Sequence, residues 1–149
     1  MSFFSCKAKE YAINCVHMRK QGLDIRLDRK LLIGHSFSFS LVRCDRLIVE
    51  SMSLSSLQAA LVGAEVISFW GHENTRVAAE EVLGVSLRPR IERPAIMLSV
   101  DGYPMLNGET FDTCWLLSPD YPAEFRPAIG EEVGLEQIVG WHVLKLTWQ

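Results

Sequence analysis

Ile67-Ser68-Phe69-Trp70-Gly71-His72-Glu73-Asn74-Thr75 is the stretch that decides the fold. The apolar run from Glu65 to Trp70 predicts a buried strand that stops at Gly71. From Thr75 the period changes. Ala78, Ala79, Val82 and Leu83 share one face of a 3.6-residue repeat, while Arg76, Glu80 and Glu81 lie away from it. Gly84 supplies the left-handed residue that commonly follows a helix, and Asn74 or Thr75 can cap the first turn. Strand, glycine turn and helix N-terminus follow one another, with His72 in the turn.

The first N–H groups of a helix have no partner inside it and carry a partial positive charge, so such a junction attracts anions. Gly71 would let the backbone approach a ligand, and an imidazole at His72 titrates near neutrality, as proton transfer requires. The plainer reading is a Gly-His turn with a surface histidine.

Working outward, Leu31-Leu32-Ile33 reads as the first buried strand, ending at Gly34. Ser36-Phe37-Ser38-Phe39-Ser40-Leu41 alternates hydroxyl and apolar side chains, as a strand or as a loop entering a short helix. Arg46 to Met52 is a second strand. Ser53 can cap a helix carrying Leu54, Leu57 and Leu61, which Gly63 ends. Strands alternating with helices as far as Gly84 suggest parallel pairing. Beyond it, Val85 to Glu92 and Pro94 to Val100 read as edge strands, with a turn at Asp101-Gly102. Thr113 to Leu117 reads as a strand followed by a long loop, Ser118 to Ile129. A short helix over Glu131 to Ile138 and a last strand, Trp141 to Trp148, complete the chain.

With 149 residues, 48% hydrophobic, the chain has the length and composition of one globular domain. A net charge of −3 argues against broad binding to long nucleic acid but allows a small nucleotide held by local basic groups. Cys6, Cys15, Cys44 and Cys114 show no paired spacing, which points to free thiols in a reducing cytosol rather than a zinc site. No apolar run approaches the ~20 residues that span a membrane. Residues 1–30 are the most basic part, read as a solvated extension or as lying upstream of a start at Met18.

Three segments carry a family likeness. Ile67 to Thr75 resembles the "IGHEST" segment of the viral type III anti-CRISPR ring nucleases, whose helix also ends in Leu-Gly, as Leu83-Gly84 does here. Ser36 to Leu41 resembles their "NAFSxNML" opening, and Arg90-Ile91-Glu92 their "NRIxV" strand. The three follow in the family's order. The resemblance implies that the substrate is cyclic tetra-adenylate and that cleavage needs no metal. A ribose 2′-OH would attack phosphorus, His72 would protonate the leaving 5′ oxygen, and a 2′,3′-cyclic phosphate would form. It also implies ligand contacts from Ser36, Phe37, Ser38, Gly71, Glu73, Asn74, Thr75, Arg90 and Arg126. The family's "RLPEG" loop has its counterpart in Phe125 to Glu131, where Arg126 matches and Ile129 stands in the glutamate's place. Glu131 is the nearest carboxylate and the candidate to replace it. His35 adjoins the serine segment and stays a candidate as well.

The resulting expectation is a single α+β domain over residues 31–149, a mixed sheet flanked by helices, forming a homodimer around a shared nucleotide pocket. It needs no cofactor, has no membrane partner and belongs to the cytoplasm, that of a host cell if the protein is viral. The first alternative is a sponge that binds a cyclic nucleotide without cleaving it. The second is a small structural or regulatory protein whose Gly-His turn only joins strand to helix.

Overall fold

The computed structural model describes residues 29–92, 94–126, 128–129, 131 and 134–149. The basic segment up to residue 28, with Cys6 and Cys15, lies outside them, as do Gly130, Glu132 and Val133. Among the described residues, two sheets and two helices make one mixed α+β domain. The strands are β1 (Lys30–Gly34), β2 (Leu47–Met52), β3 (Glu65–Ser68), β4 (Met97–Leu98), β5 (Pro104–Leu106), β6 (Glu109–Thr110), β7 (Thr113–Asp120) and β8 (Gly140–Trp148). The helices are α1 (Leu54–Leu61) and α2 (Glu73–Leu83). Neither is long and apolar enough to cross a membrane.

The main sheet has the order β2-β8-β7-β1-β3. β1 lies parallel to β3 on one side and to β7 on the other, while β8 runs antiparallel to both β7 and β2. The parallel pairing inferred from strand–helix alternation therefore holds for β1 and β3. It fails for β2, which sits at the far edge against β8. Residues alternate between two faces along each strand. Leu31, Ile33, Trp115, Leu117 and Val143 face the helices, where Leu57 and Leu61 of α1 and Ala79 and Leu83 of α2 cover them. Leu32, Cys114, Leu116, Leu146 and Trp148 face the other way, beneath Phe69, Leu106 and Phe111. Both helices thus cover one face, and the small sheet β4-β5-β6 lies over the other.

Local chemistry explains the helix ends. The Ser53 hydroxyl accepts the Ser56 N–H at 3.1 Å and caps α1, and such a cap stabilises a helix by about 1 kcal/mol. α2 closes on Gly84 in the left-handed conformation, φ 68°. It begins at Glu73, two residues earlier than the period indicates, so His72 is the cap residue. Arg76 bridges Glu73 at 2.5 Å and Glu80 at 2.6 Å and ties the first two turns together.

Several expectations need correction. Val85 to Glu92 forms no strand. Pro89 has no donor, the Leu87 N–H goes to the Glu80 carboxylate at 2.7 Å and the Arg88 N–H goes to the Ser86 hydroxyl, so little is left for a ladder. Of Pro94 to Val100 only Met97–Leu98 pairs, although the turn at Gly102 forms, with φ 81°. The stretch after Tyr103 holds a hairpin, β5–β6, turned by Asn107 and Gly108 with φ 53° and 79°. β7 runs on to Asp120 because β8 pairs with it along its full length, which shortens the loop expected from Ser118. Among the described residues, the helix expected over Glu131 to Ile138 reduces to a 3₁₀ turn at Leu135–Gln137.

Candidate functional site

Three parallel strands end side by side, and the crevice at their carboxyl ends is where sheets of this kind bind ligands. β1 delivers His35 and Ser36, β3 delivers Trp70 to His72, and β7 delivers Ser118, Pro119 and then Tyr121. Between them lies a cavity of about 310 Å³ lined by His35, Ser36, His72, Asn74, Tyr121 and Glu131, among others. A second cavity of about 520 Å³ adjoins it across His72 and Glu73 and is lined by Gly71, Arg76, Arg88 and Arg90.

The two histidines touch. The His35 and His72 rings meet edge to face, with centroids 4.9 Å apart and planes at 76°. His35 also lies against the Trp70 indole, at 5.6 Å. Trp70 is buried, and its Nε1–H donates to the Thr75 hydroxyl at 3.1 Å. That hydroxyl donates in turn to the His72 carbonyl at 3.2 Å, which also accepts the Arg76 N–H at 3.0 Å. Thr75 therefore joins the core to the cap residue instead of capping the helix itself. On the other side the Ser118 hydroxyl donates to the His35 carbonyl at 2.6 Å and fixes the end of β1 to β7.

Electrostatics set the two rings apart. Burial, and then the nearby charge of His72, push the His35 pKa below its ordinary value of 6.5. Its Nδ1 is enclosed and meets no hydrogen-bond partner among the described residues. His72 is exposed. Glu73 lines both cavities, but its carboxylate is held by Arg76, whose hydrogen bond lowers the Glu73 pKa. Burial raises the pKa of the Tyr121 hydroxyl, so it presents a neutral phenol to the cavity.

The residues singled out in the sequence divide into three groups. Ser36, His72, Glu73, Asn74, Thr75 and Glu131 line the first cavity, with Glu131 also accepting the Ala128 N–H at 2.9 Å. Gly71 and Arg90 line the second, where Arg90 pairs with Glu65. Gly71 is not in the left-handed region, and a Cβ there would meet only the His35 ring carbon Cε1, at 3.6 Å. The remaining three stand apart. Phe37 packs edge-on against Trp148, at 5.4 Å, beneath the sheet. Ser38 bonds Ser40, and Arg126 is exposed, bonds the Phe125 carbonyl and lines neither cavity.

Sequence reasoning passed over Ser118 and Tyr121. Both follow the apolar run of β7, and a hydroxyl and a phenol just past a buried strand were the available signal. Among the described residues no group of three or more His, Cys, Asp or Glu side chains is placed to hold a metal ion. Cys44 and Cys114 are free thiols, and burial pushes that of Cys114 strongly upward.

No protein family matches the chain, and no curated protein does. Among solved structures the chain is similar to B116 of Sulfolobus turreted icosahedral virus, at 11% identity and a TM-score of 0.47, over 80% of this chain and 99% of that one.

Proposed function

We propose that the protein opens the ring of a cyclic oligoadenylate by metal-independent phosphodiester cleavage, with His72 as the general acid. The observation that carries this reading is the seat of His72. It caps α2, whose N-terminal dipole favours a phosphate, and it faces a cavity furnished with Ser36, Asn74, Thr75 and Tyr121. The resemblance of Ile67 to Thr75 and of its two companion segments to the viral type III anti-CRISPR ring nucleases supplies the substrate, cyclic tetra-adenylate. A 2′-OH attacks phosphorus, the bond to the 5′ oxygen breaks, and His72 protonates that oxygen. Glu131 orients groups at the cavity mouth, and Arg90 lies within the adjoining cavity for a second phosphate.

Size favours a two-fold assembly. A cavity of about 310 Å³ is at the small end of ligand sites, roughly 300–1,000 Å³, and holds only part of a four-nucleotide ring. Two protomers would place one His72 on each side of it.

The test is incubation with cyclic tetra-adenylate in EDTA, followed by resolution of the products. The wild type yields linear products with a 2′,3′-cyclic phosphate. His72→Ala binds within a few-fold but cleaves ~10²–10⁴ more slowly. Equal rates for the two proteins refute the mechanism. The position of Arg126 outside both cavities, with Ile129 fully exposed nearby, favours a second reading in which the ring is bound and left intact. Tight binding with an intact ring after hours selects that sponge. No binding at all selects a structural role.

A further inference from the structure

Resting on the reading of this site as a ring-opening phosphodiesterase, we propose that His35 is its general base. It takes the proton of the attacking ribose hydroxyl while His72 gives one to the leaving oxygen. Three observations lead there. His35 is the first residue beyond β1, and its carbonyl is held by Ser118 from β7, so the ring is carried on a fixed main chain. Its ring touches that of His72 across one cavity that both line, so a phosphodiester in contact with one imidazole is within reach of the other. The third is the protonation state of His35. An imidazolium needs an acceptor for each N–H, and Nδ1 of His35 finds none among the described residues. Charge on His35 is therefore disfavoured in the empty site, as the depression of its pKa by burial and by His72 also indicates. His35 is thus neutral in the empty site and keeps a lone pair.

The surrounding charges leave that state of His35 intact. From α2, Glu73 is tied to Arg76, and Arg76 also to Glu80. Past β7 the cavity presents Tyr121, whose pKa is raised, and Glu131. Arg88, Arg90 and Glu92 border the adjoining cavity on the far side of His72. Glu131 is the rival base, but it is exposed and its carboxylate already accepts the Ala128 N–H. In the step itself the 2′ oxygen bonds to phosphorus as its proton passes to His35. The bond from phosphorus to the 5′ oxygen breaks as that oxygen takes the His72 proton. His35 ends cationic and His72 neutral, and proton exchange with water resets the pair.

The experiment combines single-turnover cleavage across pH with histidine NMR. For the wild type we expect a rate that falls on both the acid and the alkaline side. His35→Gln, checked to melt as the parent does, should cleave ~10²–10⁴ more slowly and lose the acid-side fall. Its affinity for a ring with 2′-O-methyl groups, which cannot react, should stay within a few-fold. Free imidazole should restore part of the rate to His35→Ala, which a merely structural defect would not allow. In the NMR titration His72→Ala should raise the His35 pKa. A His35→Gln that keeps the parental rate and profile overturns the proposal and leaves the ring-opening reading standing. Slow cleavage with the acid-side fall retained and no imidazole rescue also overturns it. A wild type that cleaves no ring defeats both readings together.

Discussion

Gly34→Ala should loosen the fold at the point where the site is anchored. Gly34 ends β1 and faces the side of the sheet away from the helices. A Cβ built there would lie 2.3 Å from Cε2, 2.4 Å from Cζ and 2.8 Å from Cδ2 of Phe69. Phe69 is buried among Leu106, Phe111 and Leu116, so its ring has little room to swing away. Overpacking of this kind costs about 1–3 kcal/mol. Replacing a strand glycine returns about 0.5–1 kcal/mol of backbone entropy, so the net loss should be roughly 1–2 kcal/mol. With a urea slope of about 2 kcal/mol/M, tryptophan fluorescence should show the midpoint fall by roughly 0.5–1 M at unchanged slope. Phe69→Leu trims the ring, so Gly34→Ala/Phe69→Leu should be less destabilised than the two single losses summed. The proposed cleavage should fall with Gly34→Ala as well, because Phe69 leads directly into Trp70, Gly71 and His72. A Gly34→Ala midpoint equal to the parent's, or a strictly additive cycle, would refute the argument.

Two further outcomes can be stated. Thr75→Val removes the acceptor of the buried Trp70 indole and should cost about 1–3 kcal/mol in chemical denaturation. Thr75→Ser keeps the hydroxyl and should recover most of it, and equal losses for the two variants would show that the methyl that serine lacks matters as much as the hydroxyl that valine lacks. The lowered His35 pKa gives the fold an acid weakness. The unfolded chain binds the proton more readily, so stability is complete above the ordinary value of 6.5 and is lost as pH falls from there through the depressed folded value. Melting between pH 7 and 5 should show a slope that flattens in His35→Gln, and an unchanged slope would remove His35 as its source.

Much of this could be read from residues before any coordinates. Leu54, Leu57 and Leu61 behind Ser53 announced α1, and the switch of period after Gly71 announced α2, because burial of one face writes itself into spacing. The segment from Val85 to Ile96 could not be read the same way. Its apolar residues resemble a strand, but the Leu87 and Arg88 N–H groups are taken by the Glu80 and Ser86 side chains, and no local pattern shows that. Asn107-Gly108 was legible as a tight hairpin turn and was overlooked because Pro, Gly and Asp surround it. At the site, His72 declared itself through its turn. The nearness of His35 did not, since it depends on β1 lying beside β3, a pairing between distant segments. Phe37 shows the converse: the resemblance gave it a ligand contact beside Ser36, whereas the alternation of the run already set it on the opposite side, where it packs against Trp148.

The seat of β1 between β3 and β7 has a kinetic corollary. Ile33 meets Ser68 on one side and Trp115 on the other, so both ladders close large loops of chain and repay that entropy only when nearly complete. A nascent chain that has emerged only as far as α2 already contains both histidines, yet lacks the β7 partner whose Ser118 hydroxyl steadies His35. Pairing of β1 with β3 can bring the two rings together, but the bond that steadies His35 waits for β7, the last of the three strands to be made.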